Sequence, residues 1–145
     1  MSDARRDRTQ DAASRAETLR LTAASLLESV QYNGERASVL TYMINKHVAF
    51  WDTPLETARW EALRDSFVRS SDDARLIDEV ALFFSDVKLN ADRVDRLFTF
   101  AFGQWSKHPH AKAVADGIGG HLLQSLPELE QAATALSARL TPLTQ

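Results

Sequence analysis

"LRLTAASLLESVQYNGERASVLTYMINKHVAFW", residues Leu19–Trp51, decides the fold. Along it Leu19, Ala23, Leu26, Val30, Asn33, Ala37, Leu40, Ile44, His47 and Trp51 recur in alternating steps of four and three. That spacing returns each side chain to one face of an α-helix, whereas a half-buried strand needs strict alternation. Asn33-Gly34 between two strands would be a strong hairpin signal. Here the seam crosses the pair in phase, so the spacing predicts a helix continuous through Gly34. A mid-helix glycine costs about 1 kcal/mol relative to alanine, which packing on both sides can offset.

Working toward the N-terminus, "MSDARRDR" (residues 1–8) has no apolar periodicity and is expected to be a disordered tail, with residues 9–145 forming a single helical-bundle domain. Toward the C-terminus, "WDTPLE" offers Thr53 as a cap, Pro54 at the first helical position and Glu56 as the capping-box partner, with Thr57 a rival cap. The second helix carries Leu55, Trp60, Leu63 and Phe67 and ends near Ser70, and "SSDD" caps a third. The third repeats the heptad seam through Leu76, Val80, Phe83, Val87, Asn90, Val94, Leu97 and Ala101. Its apolar stripe is broad, as in a bundle core rather than a two-stranded zipper. A fourth helix is expected from about Pro109 to Gln124, and Ser125, Pro127 and Glu128 read as a capping box opening a fifth. The fold class is therefore all-α: an elongated bundle of about five helices in which the two long heptad helices run antiparallel.

Asn33 and Asn90 occupy the same heptad phase on otherwise apolar seams. In an antiparallel pair they would share a layer, and a buried amide there fixes register once it is paired. Solvent exposure at a splayed end and pairing across a homodimer are the alternatives. Length adds a constraint. A helix from Thr9 to Trp51 would be roughly 65 Å long, against a radius of gyration of about 15 Å for a compact domain of this size. Either a second copy covers its seam or the helix folds back at Gly34.

Composition narrows the function. The chain has 145 residues, no cysteine and a formal charge of −3. Disulfides, thiolate catalysis and cysteine zinc sites are excluded, and an acidic balance argues against nucleic-acid binding. No apolar run reaches the 18 residues or so that span a bilayer, and no signal peptide is visible, so a cytoplasmic protein with no membrane span is expected.

"KHPHAKAVADGIGGH" (Lys107–His121) holds three of the four histidines and three of the five glycines. His108 and His110 lie two apart around a proline, and His121 is eleven past His110, so no pair has the helix-face spacing of a metal site. "GIGGH" lacks both the preceding strand and the glycine pattern of a phosphate cradle. Its expected role is steric: Gly117 and Gly120 share a side and would admit another backbone. His47 sits on the first seam between Ile44 and Trp51, either as a satisfied core histidine or as a pH-dependent interface residue. "LFTFAFGQW" packs Phe98, Phe100, Phe102 and Trp105 into eight residues. With Gly117, Ile118, Gly120 and His121 these aromatics form a candidate ligand or partner surface, the alternative being that neighbouring helices cover them. No serine stands in a nucleophile motif beside a base, and no catalytic residue, cofactor or metal is expected.

The phrases "LLESVQYN", "PLETARWEALRDS" and "FFSDVKLNADRVDRL" resemble a group of uncharacterised bacterial helical proteins that often carry a membrane anchor. The resemblance spans about Leu19 to Leu97 and implies an accessory or regulatory helical module with no assigned activity. The residues and this resemblance together predict a non-enzymatic interaction module, homodimeric and open to another protein partner. The alternative is a small-molecule-binding bundle with its pocket near the fourth helix and the Phe98–Trp105 cluster.

Overall fold

One unbroken helix, α1 (Asp3–Asn45), carries the first seam; the structure, a computed structural model, describes residues 3–48 and 54–145. Helices α2 (Ala58–Ser70), α3 (Ala74–Ala101) and α4 (Ala111–Leu140) follow, and a 3₁₀ turn, Thr141–Thr144, closes the chain. No strand occurs among the described residues.

Side-chain pairings give the topology. Asn33 meets Glu56, Arg59 meets Glu28 and Arg15 meets Asp72, so α2 runs antiparallel to α1. Ile44 faces Gly119 and Gly34 faces Ala133, so α4 is antiparallel to α1. Asn90 bonds Ser125 and Glu79 bonds Arg139, so α4 is antiparallel to α3 as well. The four helices thus run up, down, up, down, each touching the next, with α4 closing the ring against α1.

Three expectations are corrected by this topology. The two long heptad helices, α1 and α3, run parallel rather than antiparallel, because α2 is a full return helix and not a crossing connector. Asn33 and Asn90 do not share a layer: Ala133, which faces Gly34 beside Asn33, lies eight residues along α4 from Ser125, the partner of Asn90, roughly 12 Å along its axis. The count of five falls to four, because the capping box at Ser125–Glu128 lies inside α4. Pro127 removes one backbone donor from that helix, a cost of about 3 kcal/mol. The buried residues around it, Leu122, Leu126 and Leu129, offset that cost through core packing. Ser125, free of any capping duty, donates its hydroxyl to Asn90 Oδ1 at 2.6 Å.

The N-terminal stretch also differs from expectation: it is helical from Asp3. Its alanines, arginines and glutamine are good helix formers, so the seam helix extends through them with no core contact of its own. From Thr22 to Ile44 the seam is covered within the chain, whereas His47 is exposed. Ala23, Leu26, Val30, Ala37 and Leu40 are fully buried against α2, α4 and the terminal turn. Gly34 remains in the helix, and the reason lies in α4. A Cβ at Gly34 would stand 2.8 Å from Ala133 Cβ, closer than carbon atoms approach, so the glycine sets the α1–α4 distance.

Between α2 and α3 the core is aromatic. Trp60 stacks on Phe84 with centroids 5.6 Å apart and planes 4° apart, and Phe67 and Phe83 meet this pair edge-on. Each such contact adds about 0.5–1.5 kcal/mol beyond the area it buries. Asp73 caps α3 as expected, accepting Leu76 N–H at 3.0 Å. α2 begins at Ala58 instead of Pro54, with the rival cap Thr57 at its N-cap position, although its side chain makes no capping bond. Thr53, the expected cap, and Trp51 lie outside the described residues. Pro54–Glu56 is held out of the helix by α1, since Tyr32 Oη donates to Pro54 O at 3.0 Å and Asn33 takes both backbone groups of Glu56.

Candidate functional site

α1 ends in a tight reversal. Val48 N–H bonds Met43 O at 3.0 Å and His47 N–H bonds Ile44 O at 3.2 Å, the paired bonds of a Schellman cap. The residue in the left-handed position is His47, with φ of 53°, where glycine is the usual choice. Holding a side chain there costs about 1–2 kcal/mol. Strain of this kind gathers at ligand-contacting positions.

α3 ends at the same end of the bundle. Phe102 and Gly103 both donate to Phe98 O, and Trp105 N–H reaches Thr99 O at 3.2 Å. Gly103 allows this fold-back, because a Cβ there would sit 3.0 Å from Thr99 Cα. Successive turns through Ser106 and His108 then deliver the chain to Ala111, the first residue of α4.

These three chain ends form a cavity of about 530 Å³ that is partly open to solvent. α1 supplies Met43, Ile44, His47 and Val48; α3 and its exit supply Leu97, Phe100, Ala101, Phe102 and Ser106; α4 supplies Lys112, Ala115, Asp116, Gly119, Gly120 and Leu123. The lining is mainly apolar, with His47, Ser106, Lys112 and Asp116 as its side-chain polar groups. Size and lining match those of sites for small organic ligands, which run about 300–1,000 Å³ with a few orienting polar groups. A second, shallower groove of about 800 Å³ runs over Gly34 and Ala133 between Glu35 and Glu130, and is open and polar.

The expected site residues divide. Phe100, Phe102, Gly120 and His47 line the cavity. Phe98 and Ile118 pack against the core instead. Trp105 is half-exposed with its ring edge toward His108, at a centroid distance of 6.3 Å. His121 is exposed, as are His108 and His110. The steric role expected for Gly117 and Gly120 is not what they do: a Cβ on either meets nothing within 4 Å. Gly120 instead leaves open space in the cavity wall, and the close approach expected of this pair occurs at Gly34. Asn33 and Asn90, the candidate register residues, are buried, and each is satisfied by a different element.

Sequence reasoning missed Met43, Val48, Leu97, Lys112 and Asp116. One signal for them was available in the charges. Three of the four lysines, Lys46, Lys107 and Lys112, fall at this end of the bundle. From Leu97 to Pro127 the one carboxylate is Asp116, and none occurs from Arg36 to Trp51. An acidic chain therefore has a basic end, and the cavity opens there.

Set against known protein families, curated proteins and solved structures, the chain matches none of them. Among the described residues no helix is long and apolar enough to cross a membrane.

Proposed function

We propose that the protein is a non-enzymatic binding bundle that holds a small, largely apolar molecule between the C-terminal ends of α1 and α3 and the first turns of α4. The observation that carries this reading is the cavity of about 530 Å³, whose lining includes buried Ile44 and Leu97 and the exposed polar groups His47, Ser106, Lys112 and Asp116. The strained His47 at its wall supports it. The covering of the α1 seam by α2 and α4 removes the main reason for requiring a second copy of the chain.

The test is titration with the neutral probe N-phenyl-1-naphthylamine, whose fluorescence rises on entering an apolar site. Saturable binding at one site per chain is expected. Gly120→Phe should abolish it with folding intact, because the new ring has open space to enter. Binding unchanged in that variant would contradict the reading.

A second reading is a homodimeric interaction module, favoured by Leu82 and Leu89. They stand one heptad apart on α3, opposite its core face, and are 64% and 48% exposed. Two leucines are a small patch beside the roughly 800 Å² per partner of a stable interface, so this reading ranks second.

A further inference from the structure

We infer that the occupant of this cavity is a single-chain amphiphile with an anionic head, of the class of medium-chain carboxylates. The inference rests on the cavity being a ligand site and adds the chemistry of the ligand.

The argument runs from charge and depth. Ile44, Leu97, Ala115 and Leu123 line the cavity and offer nothing polar, so the part of a ligand against them is hydrocarbon. The polar side chains of the lining, His47, Ser106, Lys112 and Asp116, are all exposed, whereas Ile44 and Leu97 are buried, which fits a ligand with one polar end. Lys112 is the fixed cation there. It lies in the first turn of α4, where the unpaired backbone N–H groups add positive potential. Neither Lys112 nor Asp116 has an ion-pair partner among the described residues, although they lie one turn apart on the same wall. Lys46 and Lys107 place more positive charge at this end, while Asp116 is the one carboxylate of the wall. A carboxylate head on Lys112 therefore gains a charge-assisted hydrogen bond and the field of the basic end. A cationic head would have Asp116 alone.

The experiment compares decanoate, decanol and decyltrimethylammonium by displacement of N-phenyl-1-naphthylamine from the intact chain. All three share the hydrocarbon tail and differ in the head. Decanoate is expected to bind about tenfold more tightly than decanol, the factor set by one partly exposed charged hydrogen bond. Lys112→Gln should erase that tenfold difference, bringing decanoate and decanol to equal affinity. Asp116→Asn should tighten decanoate further. Equal affinity for all three heads, or a preference for the cation, would overturn the assignment while leaving the cavity a ligand site. Failure of every probe to bind would overturn the site itself. Flotation with phosphatidylglycerol vesicles without decanoate binding would assign the basic end to a membrane surface and also overturn the proposal.

Discussion

At the scale of single residues, Asn33 does the most. It is fully buried, yet its amide leaves no polar atom unmatched. Its oxygen accepts Glu56 N–H at 2.8 Å, and its nitrogen donates to Glu56 O and Ser29 O, each at 2.9 Å. It thereby acts as a piece of backbone, pairing both ways with the chain that leads into α2. The seam spacing put this asparagine on the apolar face with solvent exposure as an alternative, and its partner belongs to a connector that has no periodicity to read. Asn33→Ala would strand both groups of Glu56, and each unsatisfied buried group costs about 1–3 kcal/mol. A loss of about 2–4 kcal/mol in urea-unfolding stability is expected, and a loss below 0.5 kcal/mol would show that water replaces the amide. His47 is the second decisive residue. Its seam position was legible, but its left-handed backbone was not, because nothing in the sequence marks where the seam stops being helical.

At the scale of helices, the seam spacing located α1 and α3 well because two long apolar stripes leave few alternatives. It failed where local and tertiary signals conflict. Ser125, Pro127 and Glu128 have the chemistry of a helix start, but the leucines on both sides bury into one continuous face and α4 runs through them. Gly34 and Gly120 show the same conflict in reverse. Both are helical glycines in the sequence, but only the structure reveals that Gly34 meets the Ala133 methyl group and Gly120 meets open space. Gly34→Ala tests this. Helix propensity alone favours alanine by about 1 kcal/mol. The collision with Ala133 Cβ reverses the sign, and a net destabilisation of about 1–3 kcal/mol is expected. Adding Ala133→Gly should recover part of it, since the pair then exchanges which helix carries the methyl group. Stabilisation by Gly34→Ala alone would mean that α1 and α4 are further apart than described.

At the scale of the whole molecule, direction was the quantity that sequence could not supply. Heptad phase says which side of a helix is buried, not which neighbour buries it. An antiparallel α1–α3 pair and a parallel one flanked by α2 and α4 therefore share the same pattern. The cavity depends on that direction. Only when α1 and α3 run parallel do His47 and Phe100 meet at one end, with the α4 start between them. Of the lining residues, Phe100, Phe102 and Gly120 were legible through an aromatic run and a glycine-containing helix, and His47 through the seam. The segment from Met43 to Val48 lies far earlier in the chain than the aromatic run and reaches it through topology alone. The clustering of lysines at one end of an acidic molecule is likewise a property of the fold. Native mass spectrometry of the chain with equimolar decanoate tests the central claim most directly, because it reports chain count and bound mass together. One 16.2 kDa chain carrying one decanoate, and a bare chain for Gly120→Phe, is the predicted result. A dimer without adduct would contradict the account and return the molecule to the reading in which Leu82 and Leu89 join two copies.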